Sequence, residues 1–107
     1  MPDQDKEFKQ RLLATFREEA EEHLRAITNG LVDLENAPVE ERQGPIVENV
    51  FREAHSLKGA ARAVNLGEIE SVCQAVEGVF AKAKRNELVL GVDALDVLHR
   101  AVTSQII

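Results

Sequence analysis

Apolar residues recur along this chain at steps of three and four, in four separate runs. In the first, Phe8, Leu12, Phe16, Ala20, Leu24, Ile27, Leu31 and Leu34 keep one face apolar over about seven turns. That spacing predicts one long amphipathic helix over about residues 7–36, preceded by a polar start up to Lys6 that is expected to fray. Asn36-Ala37-Pro38 ends the run, because proline disfavours a helical residue before it. Val39 to Gln43 reads as a connection. Gly44-Pro45 then supplies a cap with proline at the first helical position, where its missing N–H is not needed.

Val47, Val50, Ala54, Leu57, Ala61 and Val64 form the stripe of a second helix, over about residues 45–65. Asn65-Leu66-Gly67 closes it, with asparagine or glycine available for the left-handed C-terminal conformation. A third stripe of Ile69, Val72, Val76, Val79 or Phe80, and Ala83 predicts a helix over about 68–85, whose last turns carry Lys82, Lys84 and Arg85. Leu95, Leu98, Val102 and Ile106 mark a fourth helix over about 92–107. No segment shows the period-two alternation of a sheet. The fold class is therefore all-α, and four helices with short connections predict an antiparallel up-down four-helix bundle.

Within the second helix one polar residue stands out. A wheel at 100° per residue puts His55 about 130° from the centre of the apolar stripe, so its ring points outward. Gly59 follows at i+4, where glycine costs roughly 1 kcal/mol relative to alanine. Side chains on a helix lean towards its N-terminus, so a residue at i+4 would lie over the ring, and glycine leaves the ring uncovered. Close approach by a neighbouring helix would equally explain that glycine. Arg52, Lys58 and Arg62 lie at i−3, i+3 and i+7 from His55, surrounding it with positive charge. Such a setting favours a neutral, nucleophilic imidazole and would stabilise a phosphoryl group attached to it. An exposed histidine among cations is also what an ordinary helix surface gives, and spacing alone leaves both readings open.

Composition narrows the alternatives. The 107 residues suffice for one domain with its own core, spanning 1–107. A net charge of −6 and an aromatic set of four phenylalanines, without tyrosine or tryptophan, argue against a nucleic-acid partner. No apolar run is long enough for a membrane span and no secretory leader is visible, which together with the single Cys73 points to a reducing, cytoplasmic setting. Cys73 reads as a small core residue, His23 as a packed or half-exposed structural histidine, and the Glu18, Glu19, Glu21, Glu22 cluster as a solvated face. Only Asp96-Val-Leu-His99 has a carboxylate three residues before a histidine, so a carboxylate-bridged metal site is not supported. No phosphate-binding loop or hydrolytic triad is visible.

Ala54-His55-Ser56-Leu57-Lys58-Gly59-Ala60, led in by Phe51-Arg52-Glu53, resembles the His-x-x-Lys-Gly signature of histidine phosphotransfer (HPt) domains, in particular the N-terminal one of CheA-like chemotaxis kinases. The likeness extends from the first helix, through Phe16-Arg-Glu-Glu-Ala-Glu-Glu-His-Leu, to Gly91-Val-Asp-Ala-Leu. It implies a phosphocarrier: His55 would accept a phosphoryl group at Nε2 from an ATP-binding kinase domain and donate it to an aspartate of a response-regulator receiver. Lys58 would stabilise the phosphoryl group, Gly59 would clear space for the partner, and Glu77 matches the carboxylate that orients the imidazole. Gln74 stands where some relatives carry a second histidine; it can hydrogen-bond but cannot titrate. Arg62 departs from the family's small residues and is a candidate for partner choice or phosphoryl contact.

The resemblance implies no cofactor on this domain, with ATP and magnesium belonging to the partner kinase domain. The isolated domain would not be catalytic by itself. Its parent is expected to be a sensor histidine kinase of which it forms the first domain, with room for a further C-terminal helix. A stand-alone phosphorelay carrier and a helical interaction module without phosphoryl chemistry are the alternatives.

Overall fold

The computed structural model describes residues 2–38 and 44–106. The connection expected at Val39 to Gln43 lies outside the described residues. Four helices follow in order: α1 (Pro2–Asn36), α2 (Pro45–Ala63), α3 (Gly67–Lys84) and α4 (Val92–Ile106). They form a four-helix bundle of all-α class, with no strand among the described residues. Each bound lies within two residues of its expectation except the first. Helix α1 already begins at Pro2, so the polar start expected to fray is helical.

The core follows the stripes. Ile27, Leu31, Leu34, Val47, Val50, Leu57, Phe80, Leu95 and Val102 are almost entirely enclosed. Phe80, rather than Val79, takes the inward position in α3, and Cys73 packs inside beside Val76. Leu90 joins the core from the α3–α4 connection, where the helical period gave no signal for it.

Phe8 and Leu12 depart from their expected place: Phe8 is 65% exposed and Leu12 40%. At about 1.5 Å per residue α1 is about 52 Å long, whereas α2 is about 28 Å. The end of α2, around Ala63 and Val64, lies beside Phe8 and Leu12. Helix α4 meets the opposite end of α1, where His99 Nδ1 donates to Glu35 Oε1 at 3.3 Å. The apolar stripe of α1 therefore runs on past its neighbours.

Both described interhelix turns are built on asparagine. Asn65 (φ 60°) and Asn86 (φ 59°) are left-handed. Behind each, the next residue bonds back five positions: Leu66 N–H to Ala61 O at 2.9 Å and Glu87 N–H to Lys82 O at 2.9 Å. This pattern satisfies helix-end carbonyls and stops α2 and α3 sharply. Gly67, the other candidate for the left-handed position, instead begins α3. At the start of α2, Gly44 (φ 81°) precedes Pro45, and Glu48 N–H bonds to Gly44 O at 3.0 Å.

The close approach of a neighbouring helix occurs at Gly30. A Cβ on Gly30 would run into Cγ2 of Val50 on α2. Valine is stiff at χ1 and cannot swing that methyl away cheaply. Gly30→Ala gains helix propensity but must push α1 from α2, for an expected net destabilisation of about 1–2 kcal/mol. Urea denaturation measures it. An unchanged or raised midpoint would show that the two helices separate freely.

Candidate functional site

Helices α2 and α3 are joined along one edge by polar contacts in a single antiparallel register. Glu48 Oε2 meets Lys84 Nζ at 2.8 Å, and Lys84 Nζ also lies 4.4 Å from the centre of the Phe51 ring. Next comes His55 with Glu77, then Lys58 with Gln74, and last Arg62 with Glu70. Long side chains from each helix cross to the neighbour along this edge.

At the middle of this seam His55 is exposed, with 64% of its side chain open to solvent. Its Nδ1–H donates to Glu77 Oε1 at 3.0 Å. A carboxylate can only accept, so the contact assigns the ring proton to Nδ1 and leaves the Nε2 lone pair facing out. Nε2 has no partner among the described residues. Glu77 Oε2 is buried and makes no well-directed hydrogen bond, but it lies in ionic contact with Lys58 Nζ at 2.6 Å. Burial pushes the Glu77 carboxyl up, while Lys58 and His55, through contact and charge, pull it down. These two partners prevail, and its pKa lies below the usual carboxylate value.

Lys58 does not stand beside the outer ring nitrogen as its i+3 spacing suggests. Its ammonium turns to α3, donating to Gln74 Oε1 at 3.1 Å and touching Glu77, and only 16% of its side chain is exposed. Arg62 is likewise drawn off, with Nε and a terminal nitrogen each 2.9 Å from Glu70 Oε2. Of the three cations expected around His55, two are thus bound by α3, and the third, Arg52, forms no ion pair among the described residues but acts on Glu48, helping Lys84 to hold that carboxyl below its usual value. Spacing within α2 placed these residues correctly on its surface; the acceptors on α3 decide where the charges go.

Gly59 is exposed, and a Cβ there would meet nothing within 4 Å. Helix packing therefore does not account for it, and the i+4 turn over His55 stays open. The two remaining histidines are also held by carboxylates across helix seams. His23 Nδ1 donates to Glu53 Oε2 at 2.6 Å between α1 and α2, with both side chains about one-quarter exposed. Neither pairing was visible from the period of its helix. Cys73 lies in the core behind Glu77, and burial, aided by the nearby Glu77, raises its thiol to about 11. It is unreactive at neutral pH. Among the described residues no group of three His, Cys, Asp or Glu side chains could hold a metal ion. No helix among them is long and apolar enough to cross a membrane.

The model of the Hpt domain family matches residues 11–105. The chain belongs to the Hpt domain family. Curated relatives of this Hpt domain include the chemotaxis protein CheA of Listeria monocytogenes, 31% identical over 87 residues, covering 81% of this chain and 14% of the relative. The gliding motility regulatory protein of Myxococcus xanthus is 34% identical over 94 residues, covering 88% of this chain and 12% of the relative. Sensor histidine kinase CheAY of Helicobacter pylori is 28% identical over 93 residues, covering 87% and 11%. The chain thus spans a small fraction of the length of these relatives. No solved structure matches it.

Proposed function

We propose that this Hpt domain is the phosphotransfer part of a CheA-like sensor histidine kinase in chemotaxis signalling, and that His55 is its phosphoacceptor. The observation that carries this reading is an exposed imidazole whose Nδ1–H is held by Glu77 at 3.0 Å while Nε2 is open. The Nε2 lone pair attacks the γ-phosphorus of ATP presented with magnesium by the kinase's ATP-binding domain. An N–P bond forms as the bond from phosphorus to the ADP oxygen breaks. The ring becomes cationic as it forms, and the ionised Glu77 carboxylate stabilises that charge through the Nδ1–H. In the second step a carboxylate oxygen of a receiver aspartate attacks phosphorus, the N–P bond breaks, and neutral His55 is restored.

Glu77 orients the imidazole, Lys58 positions Glu77 and Gln74 supports Lys58. Gly59 leaves room for the partner above the ring. Arg62, bound to Glu70, braces the seam. The domain has no catalytic role without its kinase partner.

The test is incubation of the domain with its ATP-binding kinase domain, magnesium and γ-labelled ATP. The expected product carries an acid-labile, base-stable label in the peptide containing His55. An acid-stable label, as on Ser56, or a label on His23 or His99, would overturn the assignment.

A further inference from the structure

Three glycines stand in helix interiors, and packing within the chain explains only Gly30. At Gly59 and at Gly78 a Cβ would meet nothing within 4 Å, and neither has a left-handed backbone. Both are exposed. Gly59 belongs to the reading already given; Gly78 does not.

The register of the α2–α3 seam locates Gly78. Glu77 reaches His55, so its chain neighbour Gly78 is level with that ring, on the other helix. On a wheel Gly78 lies about 180° from the core side of α3 marked by Cys73, Val76 and Phe80, and Gly59 lies about 165° from the core side of α2. The two glycines therefore flank the seam on the same outer face of the bundle, with the small exposed residues Ser56 and Ala75 beside them. Arg52, one turn before His55, and Lys82, one turn after Gly78, are exposed and have no ion pair among the described residues.

We propose that Gly78 is a clearance residue on the α3 side of His55, admitting the receiver domain that takes the phosphoryl group. This rests on the reading of His55 as a phosphocarrier. In-line transfer needs the receiver's carboxylate oxygen within about 3–3.5 Å of a phosphorus held on a ring that itself rises from the surface. The two protein surfaces must close around that ring, and a side chain at Gly78 would prop them apart. Arg52 and Lys82 match the negative charge of the aspartate pocket that must settle there.

The test separates the ring's chemistry from access to it. Wild type, Gly78→Ala and Gly78→Leu are loaded with phosphoramidate, a donor without a protein surface. Each is then mixed with a receiver domain chosen because it drains the label from wild type. Loading is expected to be unchanged, while transfer from Gly78→Leu is slowed about 10- to 100-fold and from Gly78→Ala by less. Circular dichroism is expected to show the same helix content in all three. Wild-type transfer rates in Gly78→Leu would overturn the proposal, and so would equal slowing of phosphoramidate loading. Failure of wild type to load at His55 would instead remove the phosphocarrier reading, and this inference with it.

Discussion

Replacing His55 by glutamine is expected to abolish phosphoryl uptake while leaving the bundle folded. The ring is mostly open to solvent and, among the described residues, makes one polar contact, to Glu77. A glutamine amide can donate to the same carboxylate, so the seam keeps its neutralising contact and stability should move by no more than about 0.5 kcal/mol. The amide nitrogen has no available lone pair, because it is delocalised into the carbonyl, and the nucleophile is lost. Labelling by the kinase domain and γ-labelled ATP should fall to background, with an unchanged urea midpoint. Persistent labelling in a folded variant would place the phosphoacceptor elsewhere.

Glu77→Ala carries the second large effect. Without the carboxylate the proton is free to occupy either ring nitrogen, and the cation formed on attack loses its counter-charge. Phosphorylation is expected to slow by about 10²-fold or more with helix content retained. Nitrogen NMR of the ring supplies a readout that loss of packing would not mimic: the fraction protonated at Nε2 should rise. A wild-type rate with a wild-type tautomer would show that Glu77 does not orient the imidazole.

The pH dependence follows from the same group. The folded Glu77 carboxyl titrates below its ordinary value of 4.5, because Lys58 and His55 outweigh the opposing effect of burial. A carboxyl whose folded pKa is depressed contributes stability that is fully present above the unfolded value. That contribution disappears as pH falls through the folded value. Any stability supplied by this contact should therefore be constant through neutral pH and lost only under acid conditions below about 4.5. Comparing wild-type and Glu77→Ala urea midpoints between neutral and acid pH tests the sign: the difference should shrink on acidification.

The stripes of α2 and α4 were legible because a period of 3.6 with one apolar face leaves little choice about what turns inward. The same period in α1 could not reveal that Phe8 and Leu12 outrun their neighbours, since a helix's pattern carries no information about its partners' lengths. His55 facing outward was visible from the wheel, whereas Glu77 entered only through the family resemblance. Nothing in the spacing of α3 marks one of its several acids as the one that crosses to α2. The positions of Lys58 and Arg62 were legible but their bonds were not, because Gln74 and Glu70 sit on another helix. Gly30 and Gly59 look alike in sequence, each an interior glycine. Only the position of Val50 separates the one required by packing from the one that packing does not explain.

The commitment of Lys58 to Glu77 and Gln74 has an energetic meaning for a phosphocarrier. A phosphoryl group on Nε2 would project into water while this ammonium remains bound to α3, and Arg62 would remain with Glu70. A carrier that wrapped its cargo in cations would lower the energy of the loaded state and turn it into a resting point. With Lys58 and Arg62 engaged by α3, a phosphoryl group on Nε2 would gain little from either cation, and its N–P bond would keep a high transfer potential for the step that passes it on.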